Sequence, residues 1–137
     1  MNNKGEIAFV KQFNESMCDF ISLPTGTMKI NQEVLDIATI ELKKIIGSSV
    51  SSIERLSFAP NSMSSCCNDK IEILLAFIDS SKNTETFNQN VIWINSNEVW
   101  SRLCGSQKKG LSFFDKLYLD GKSTYALLIY KLLHKDL

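Results

Sequence analysis

The feature that most constrains this chain is a stretch that begins with a turn at Gly26 and ends with a helix stop at Gly47. Pro24 and Gly26 predict the turn, because proline fixes one backbone dihedral and glycine tolerates conformations that other residues avoid. Apolar residues then recur at helical spacing over residues 31–46. Asn31 is expected to cap this helix and Gly47 to end it. The side chains expected to face the core are Leu35, Leu42, and Ile45 or Ile46.

The rest of the chain alternates short strand patterns with helical ones. Predicted strands, rich in β-branched and aromatic residues, cover residues 6–13, 20–23, 53–59, 71–78 and 91–94. Asn95 and Glu98 form a capping-box pattern that predicts a short helix through Leu103. A closing helix is predicted over residues 123–135. Its expected core-facing side comprises Tyr125, Leu128, Ile129, Leu132 and Leu133. This order predicts one α/β (α+β) domain spanning residues 1–137.

The charge balance argues against a general electrostatic attraction to other macromolecules. Lys plus Arg equals Asp plus Glu at 15 each, so we expect neither nucleic acid nor a membrane surface as a partner. There is no apolar signal region at the N-terminus, and the apolar run 71–78 is too short to span a bilayer, so a cytoplasmic location is expected. The cysteines lack the paired spacing of a metal site and are expected to be free thiols. They are Cys18, Cys66, Cys67 and Cys104. The oligomeric state stays open.

The turn and helix have a counterpart in a known family. Leu23-Pro24-Thr25-Gly26, followed by a helix that contains Ile40-Glu41-Leu42 and ends at Gly47, resembles the Nudix box of the Nudix hydrolases. The form of the box is that of the ADP-ribose pyrophosphatase-like branch. Flanking motifs are similar too: Lys11-Gln12-Phe13, Val91-Ile92-Trp93-Ile94 and Asp120-Gly121-Lys122-Ser123-Thr124-Tyr125-Ala126-Leu127-Leu128. The resemblance implies a Nudix-like α/β/α sandwich around a mixed β-sheet.

The box departs from the family pattern at its charged positions. Where the family has a Glu, an Arg and a Glu-Glu pair, this chain has Gln32, Ile40, Lys44 and Ile45. Nudix enzymes cleave diphosphates with Mg²⁺, which needs several oxygen ligands converging from one helix face. Glu41 is the acid that remains, so it is the candidate catalytic and metal-binding residue. Glu85, in the polar loop after strand 71–78, is a second catalytic candidate as a general base.

Three residues are candidates for ligand binding: Gly26, Lys43 and Lys44. Gly26 matches the box glycine, and the two ammonium groups could contact a diphosphate. The alternative for the lysines is a solvated helix face. For Glu85 the alternative is a solvated loop residue.

These residues predict a degenerate Nudix domain. It is expected to bind a nucleotide, a nucleoside-diphosphate-linked ligand or a protein partner without efficient hydrolysis. One alternative is a residual hydrolase that cleaves an ADP-ribose-like diphosphate with Mg²⁺, Glu41 and Glu85. The other is a pure protein-interaction module. No cofactor is expected, and Mg²⁺ is expected only if the hydrolase alternative holds.

The free protein is therefore predicted to bind Mg²⁺ very weakly, because Glu41 stands alone in the box and the Lys44 ammonium opposes a cation. Calorimetric titration with MgCl₂ measures this affinity. A micromolar dissociation constant that depends on Glu41 would contradict the prediction and favour the hydrolase.

Overall fold

The computed structural model of the chain describes residues 1–13, 20–59, 71–79, 90–103 and 118–134. Six strands and three helices lie within these ranges. In chain order they are β1 (Glu6–Gln12), β2 (Phe20–Ser22), α1 (Val34–Ile46), β3 (Val50–Ala59), β4 (Ile71–Ile78), β5 (Val91–Asn95), α2 (Ser96–Leu103), β6 (Tyr118–Leu119) and α3 (Gly121–Leu133). All five predicted strands and all three predicted helices are present. None of the helices in these ranges is long and apolar enough to cross a membrane.

Four strands form a mixed sheet in the order β5-β1-β2-β6. Strand β1 pairs antiparallel with β5 on one side and with β2 on the other, whereas β2 pairs parallel with β6. Three consecutive residues of β1, Ile7, Ala8 and Phe9, are buried, so both faces of this central strand are covered. Among the described strands, β3 and β4 form a separate antiparallel sheet. The predicted mixed α+β class is confirmed.

The hydrophobic core joins both sheets to two of the helices. Its buried members are Ile7, Phe9, Ile21, Leu75, Ile94, Val99, Trp100, Leu127 and Tyr130. Phe9 and Ile21 are completely buried. The rings of Trp100 and Tyr130 stack with centroids 5.9 Å apart, which fixes α2 against α3.

Helix α1 lies at the margin of this core. All thirteen of its residues are described, and none of them is buried. Leu35 is 45% exposed, so the prediction that it faces the core is wrong. Leu42, Ile45 and Ile46 are half-buried. The helix contacts β3 of the two-stranded sheet, so its apolar side is only partly covered.

The start of α1 also differs from the prediction. Glu33 occupies the N-cap position, and Asn31 instead adopts a left-handed conformation with φ 70°. Asparagine tolerates that conformation better than most residues. It lies in a turn in which the Lys29 amide donates to the Gln32 side-chain oxygen at 2.8 Å. At the other end Gly47 stops the helix as predicted, with φ 76° and its N–H donating to the Lys43 carbonyl.

The buried side of α3 is not the predicted one. Ser123, Leu127 and Tyr130 are buried. Within the predicted face, Tyr125, Leu128, Leu132 and Leu133 are exposed. From Tyr125 to Leu133 only Lys131 interrupts the apolar residues, so the sequence of this part of the helix does not fix which side turns inward. The hydroxyl of Ser123 fixes the orientation of α3. It accepts a 2.7 Å hydrogen bond from the Leu23 amide and must therefore face the end of β2.

The first residues of the chain extend the two-stranded sheet. The Met1 amine donates to the Ala76 carbonyl at 2.7 Å, and the Ile78 amide donates to the Met1 carbonyl at 2.8 Å. Burial lowers the pKa of the Met1 amine from 8.0 to about 6. Burial, followed by the charge of Glu54, raises the pKa of Tyr130, whose hydroxyl contacts the Met1 sulfur at 3.8 Å. The start of the chain is thereby attached to both β4 and α3.

The corrected orientation of α3 is testable with two leucines of the same helix. Leu127→Ala is expected to lower the free energy of unfolding by about 2–4 kcal/mol, because it leaves a cavity in the core. Leu132→Ala, on the exposed side, is expected to change it by less than about 0.5 kcal/mol. Urea denaturation of the two variants measures the difference. Equal losses, or a larger loss for Leu132→Ala, would restore the orientation predicted from the sequence.

Candidate functional site

The loop that follows β2 is held in place by the beginning of α3. Besides the bond between Leu23 and Ser123, the Asp120 amide donates to the Ile21 carbonyl at 3.3 Å. The Asp120 carboxylate caps α3 by accepting from the Ser123 amide at 3.2 Å. The loop carrying Gly26 therefore leaves the sheet directly beside the first turn of α3.

A cleft of about 350 Å³ lies between these two segments. The residues that line it come from the ends of β1 and β2, from the loop and from the start of α3. They are Gln12, Phe20, Ser22, Thr25, Gly26, Thr27, Asp120 and Lys122. The side-chain Nε2 of Gln12 donates to the Ser22 hydroxyl at 2.9 Å, which fixes the Gln12 side chain on the cleft wall.

Gly26 joins the cleft to helix α1. A Cβ atom added to Gly26 would lie 2.9 Å from Cγ of Glu41 and 3.4 Å from its Cβ. The loop backbone thus rests against the Glu41 side chain, at a distance that only glycine permits. Two residues that match the Nudix box, fifteen positions apart in the sequence, are in direct contact.

The carboxylate of Glu41 forms an ion pair with Lys44. The Lys44 Nζ atom donates to Glu41 Oε1 at 2.8 Å, one helical turn away. The side chains are 33% and 65% exposed, for Glu41 and Lys44 respectively. Exposed pairs at this spacing contribute only about 0.2–0.5 kcal/mol to stability. The contact nevertheless places an ammonium group where a metal-binding helix would need a second acid.

These residues do not fit a Mg²⁺ ion. The ion needs several oxygen ligands in octahedral geometry, and here the remaining box carboxylate faces an ammonium group where a second acid would be needed. In the described ranges no three His, Cys, Asp or Glu side chains are grouped closely enough to hold a metal. At the other box positions, Ile40 is 49% exposed and Ile45 is half-buried.

The structure brings together three of the five residues singled out from the sequence. Gly26, Glu41 and Lys44 form a continuous chain of contacts beside the cleft. Lys43 is exposed and does not line the cleft. It lies two residues after Glu41, which places it on the opposite side of the helix. Glu85 lies outside the described residues, as do the four cysteines.

Several residues of the cleft were not identified from the sequence. Asp120 and Lys122 belong to a motif at the start of α3 that was noted only for its resemblance to the family. Asp120 itself was a usable signal, because aspartate is one of the residues preferred at a helix N-cap. Gln12, Phe20 and Ser22 had no such signal, since only strand pairing brings them together.

Comparison with solved structures identifies the architecture. The chain is similar to a Nudix hydrolase from Nitrosomonas europaea, with a TM-score of 0.59 and 8% sequence identity, over 96% of this chain and 83% of that one. It has a Nudix-like fold. It is also similar to the ORF135 protein of E. coli in solution, with a TM-score of 0.58 and 15% identity, over 98% and 86% of the two chains. No protein-family model and no curated protein sequence matches the chain.

The contact between Gly26 and Glu41 predicts a coupled pair of substitutions. Gly26→Ala is expected to lower the free energy of unfolding by about 1 kcal/mol, because the new methyl group must displace the Glu41 side chain. When Glu41→Ala is also present, Gly26→Ala should no longer lower the free energy of unfolding appreciably, because the Cγ atom of residue 41 is absent. Urea denaturation of the four proteins gives the coupling energy.

Gly121→Ala is the matched control. A Cβ atom at that position meets no atom within 4 Å, and the residue opens a helix. The control is therefore expected to be neutral or slightly stabilising. Strictly additive effects of Gly26→Ala and Glu41→Ala would show that the loop does not rest on the helix.

Proposed function

We propose that this chain is a degenerate Nudix-fold domain that binds a nucleotide or a nucleoside-diphosphate-linked ligand without hydrolysing it efficiently. The ion pair between Glu41 and Lys44 carries the proposal. In this pair the ammonium group of Lys44 offsets the negative charge of Glu41, the acid that remains at the box positions. The fold alone does not imply an activity, because function depends on the residues of the site.

The lost step is the metal-dependent one. Hydrolysis of a diphosphate requires neutralisation of the phosphoryl oxygens and activation of a water molecule, both of which Mg²⁺ supplies in this family. Here Lys44 occupies an acid position and bonds to Glu41 instead. Gln32 and Ile45 stand where the family has two further acids and carry no charge, so no acid at those box positions takes the place of the missing one.

Ligand binding is supported by the cleft. Its volume of about 350 Å³ is near the lower end of the range for small-molecule sites, and its walls are mostly polar, with one aromatic ring from Phe20. Gly26 forms part of that wall. Lys44, which contacts Glu41 beside the cleft, remains a proposed secondary contact for a phosphorylated ligand, whereas Lys43 lies on the opposite side of α1.

The hydrolase alternative makes a stronger demand on the same residues. It requires Glu41 to leave Lys44 and to share a metal with the substrate, and it requires an acid from elsewhere, for which Glu85 was the candidate. A single carboxylate holds Mg²⁺ only when phosphate oxygens supply most of the other ligands.

The alternative of a pure protein-interaction module predicts no small-molecule binding at all. A ligand screen separates the three.

In a thermal-shift screen, the protein is expected to be stabilised by at least one compound among ADP-ribose, nucleoside di- and triphosphates and dinucleotides. A ligand at one hundred times its dissociation constant adds about 2.7 kcal/mol to the free energy of unfolding, which is readily measured. Each compound is tested with EDTA, Mg²⁺ and Mn²⁺, and phosphate or nucleotide products are followed by chromatography. Turnover with Mg²⁺ would refute the proposal, whereas no stabilisation by any compound would favour the interaction module.

A further inference from the structure

Two side chains with opposite charge face the cleft, and they differ in what they already contact. Among the lining residues, Asp120 and Lys122 are the ionisable ones. The Asp120 carboxylate accepts the Ser123 amide and caps α3. Lys122 is exposed, and no ion pair joins it to a carboxylate within the described ranges. Among the described residues that line the cleft, Lys122 is therefore the positive charge without an ion-pair partner.

We propose that Lys122 binds the anionic group of the ligand in this cleft and that a divalent metal is not needed for binding. This inference rests on the proposed function and names the residue that replaces the metal in ligand recognition. The ligand class is a compound with one phosphate or diphosphate group attached to an uncharged organic body, such as a nucleoside mono- or diphosphate.

The other lysines of the candidate site are less suited to this role. Lys44 is already bonded to Glu41 at 2.8 Å and does not line the cleft. To bind an anion it would have to give up that contact. Lys122 reaches into the cleft from the first turn of α3, and an ammonium group there can satisfy its donors with phosphate oxygens.

Asp120 determines where the anion can lie. As the cap of α3, its negative charge offsets the partial positive charge of the helix N-terminus. An anion close to the helix axis would be repelled, so the ammonium of Lys122 is the attractive group. The opposite wall has only neutral side chains, Gln12, Phe20, Ser22, Thr25 and Thr27, which suit an uncharged ring with hydrogen-bonding groups.

The volume supports a single nucleotide unit. A cleft of about 350 Å³ is near the small end for ligand sites, so a dinucleotide would extend beyond it. The nucleoside is expected to lie toward Phe20 and Gln12, and the phosphate toward Lys122. Removing the lysine charge should therefore weaken phosphorylated ligands and leave the unphosphorylated nucleoside unaffected.

The experiment is calorimetric titration of the full chain with ADP, GDP, CDP and UDP in EDTA, followed by the matching nucleoside. For whichever diphosphate binds, Lys122→Met is expected to weaken binding roughly tenfold or more, as for loss of a hydrogen bond to a charged group. Lys4→Met is the control. It removes the same charge just before β1, at the opposite end of that strand from Gln12, and is expected to change affinity less than twofold.

Asp120→Asn supplies a test of opposite sign. Asparagine caps helices as well as aspartate does, so α3 is retained while the negative charge is lost. Binding of the same diphosphate is expected to become tighter, because repulsion is removed. Weaker binding by Asp120→Asn, unchanged binding by Lys122→Met, or binding that requires Mg²⁺ would overturn the inference. In each of those cases the proposed function would survive. Failure of every diphosphate to bind the wild-type chain would also overturn the inference, whereas the proposed function is refuted only if the wider thermal-shift screen finds no ligand.

Discussion

The hydrogen bond between the Leu23 amide and the Ser123 hydroxyl joins two segments one hundred residues apart, and much of the structure follows from it. Ser123 is only 2% exposed, so this bond is shielded from water. An unpaired donor or acceptor at such a site would cost about 1–3 kcal/mol, which makes other rotations of α3 unfavourable. With α3 fixed, Leu127 and Tyr130 enter the core, and the loop after Leu23 must pass along the first helical turn. The cleft is the space between these two constrained segments.

The sequence pattern predicted an element correctly where that pattern is compatible with a single kind of secondary structure. The strand at residues 71–78 was predicted with its observed bounds because that run is apolar except for Glu72. Gly47 was recognised as the end of α1 because glycine commonly ends helices. Strand β6 was not predicted, since two residues carry no periodicity. The burial of α3 was predicted incorrectly, because its almost wholly apolar stretch from Tyr125 to Leu133 has no distinctive face until a polar contact selects one.

In the candidate site, too, some contacts could be predicted from the sequence and others could not. The contact of Gly26 with Glu41 follows a family resemblance that could be seen in the sequence, although the two residues are separated by a loop and half a helix. The cleft walls could not be predicted, because Gln12 and Ser22 are brought together by strand register and Lys122 by the long-range bond of α3. Short-range patterns identify elements, whereas sites assembled from several elements depend on tertiary contacts.

The attachment of Met1 to β4 has a practical consequence for handling the protein. The amine at the start of the 137-residue chain is itself a hydrogen-bond donor to Ala76, and the Met1 sulfur lies against the Tyr130 hydroxyl. An affinity tag joined ahead of Met1 converts that amine into a peptide N–H with one proton. A tag joined at the other end of the chain leaves the amine chemically unchanged, so a recombinant protein tagged there keeps the full donor to Ala76.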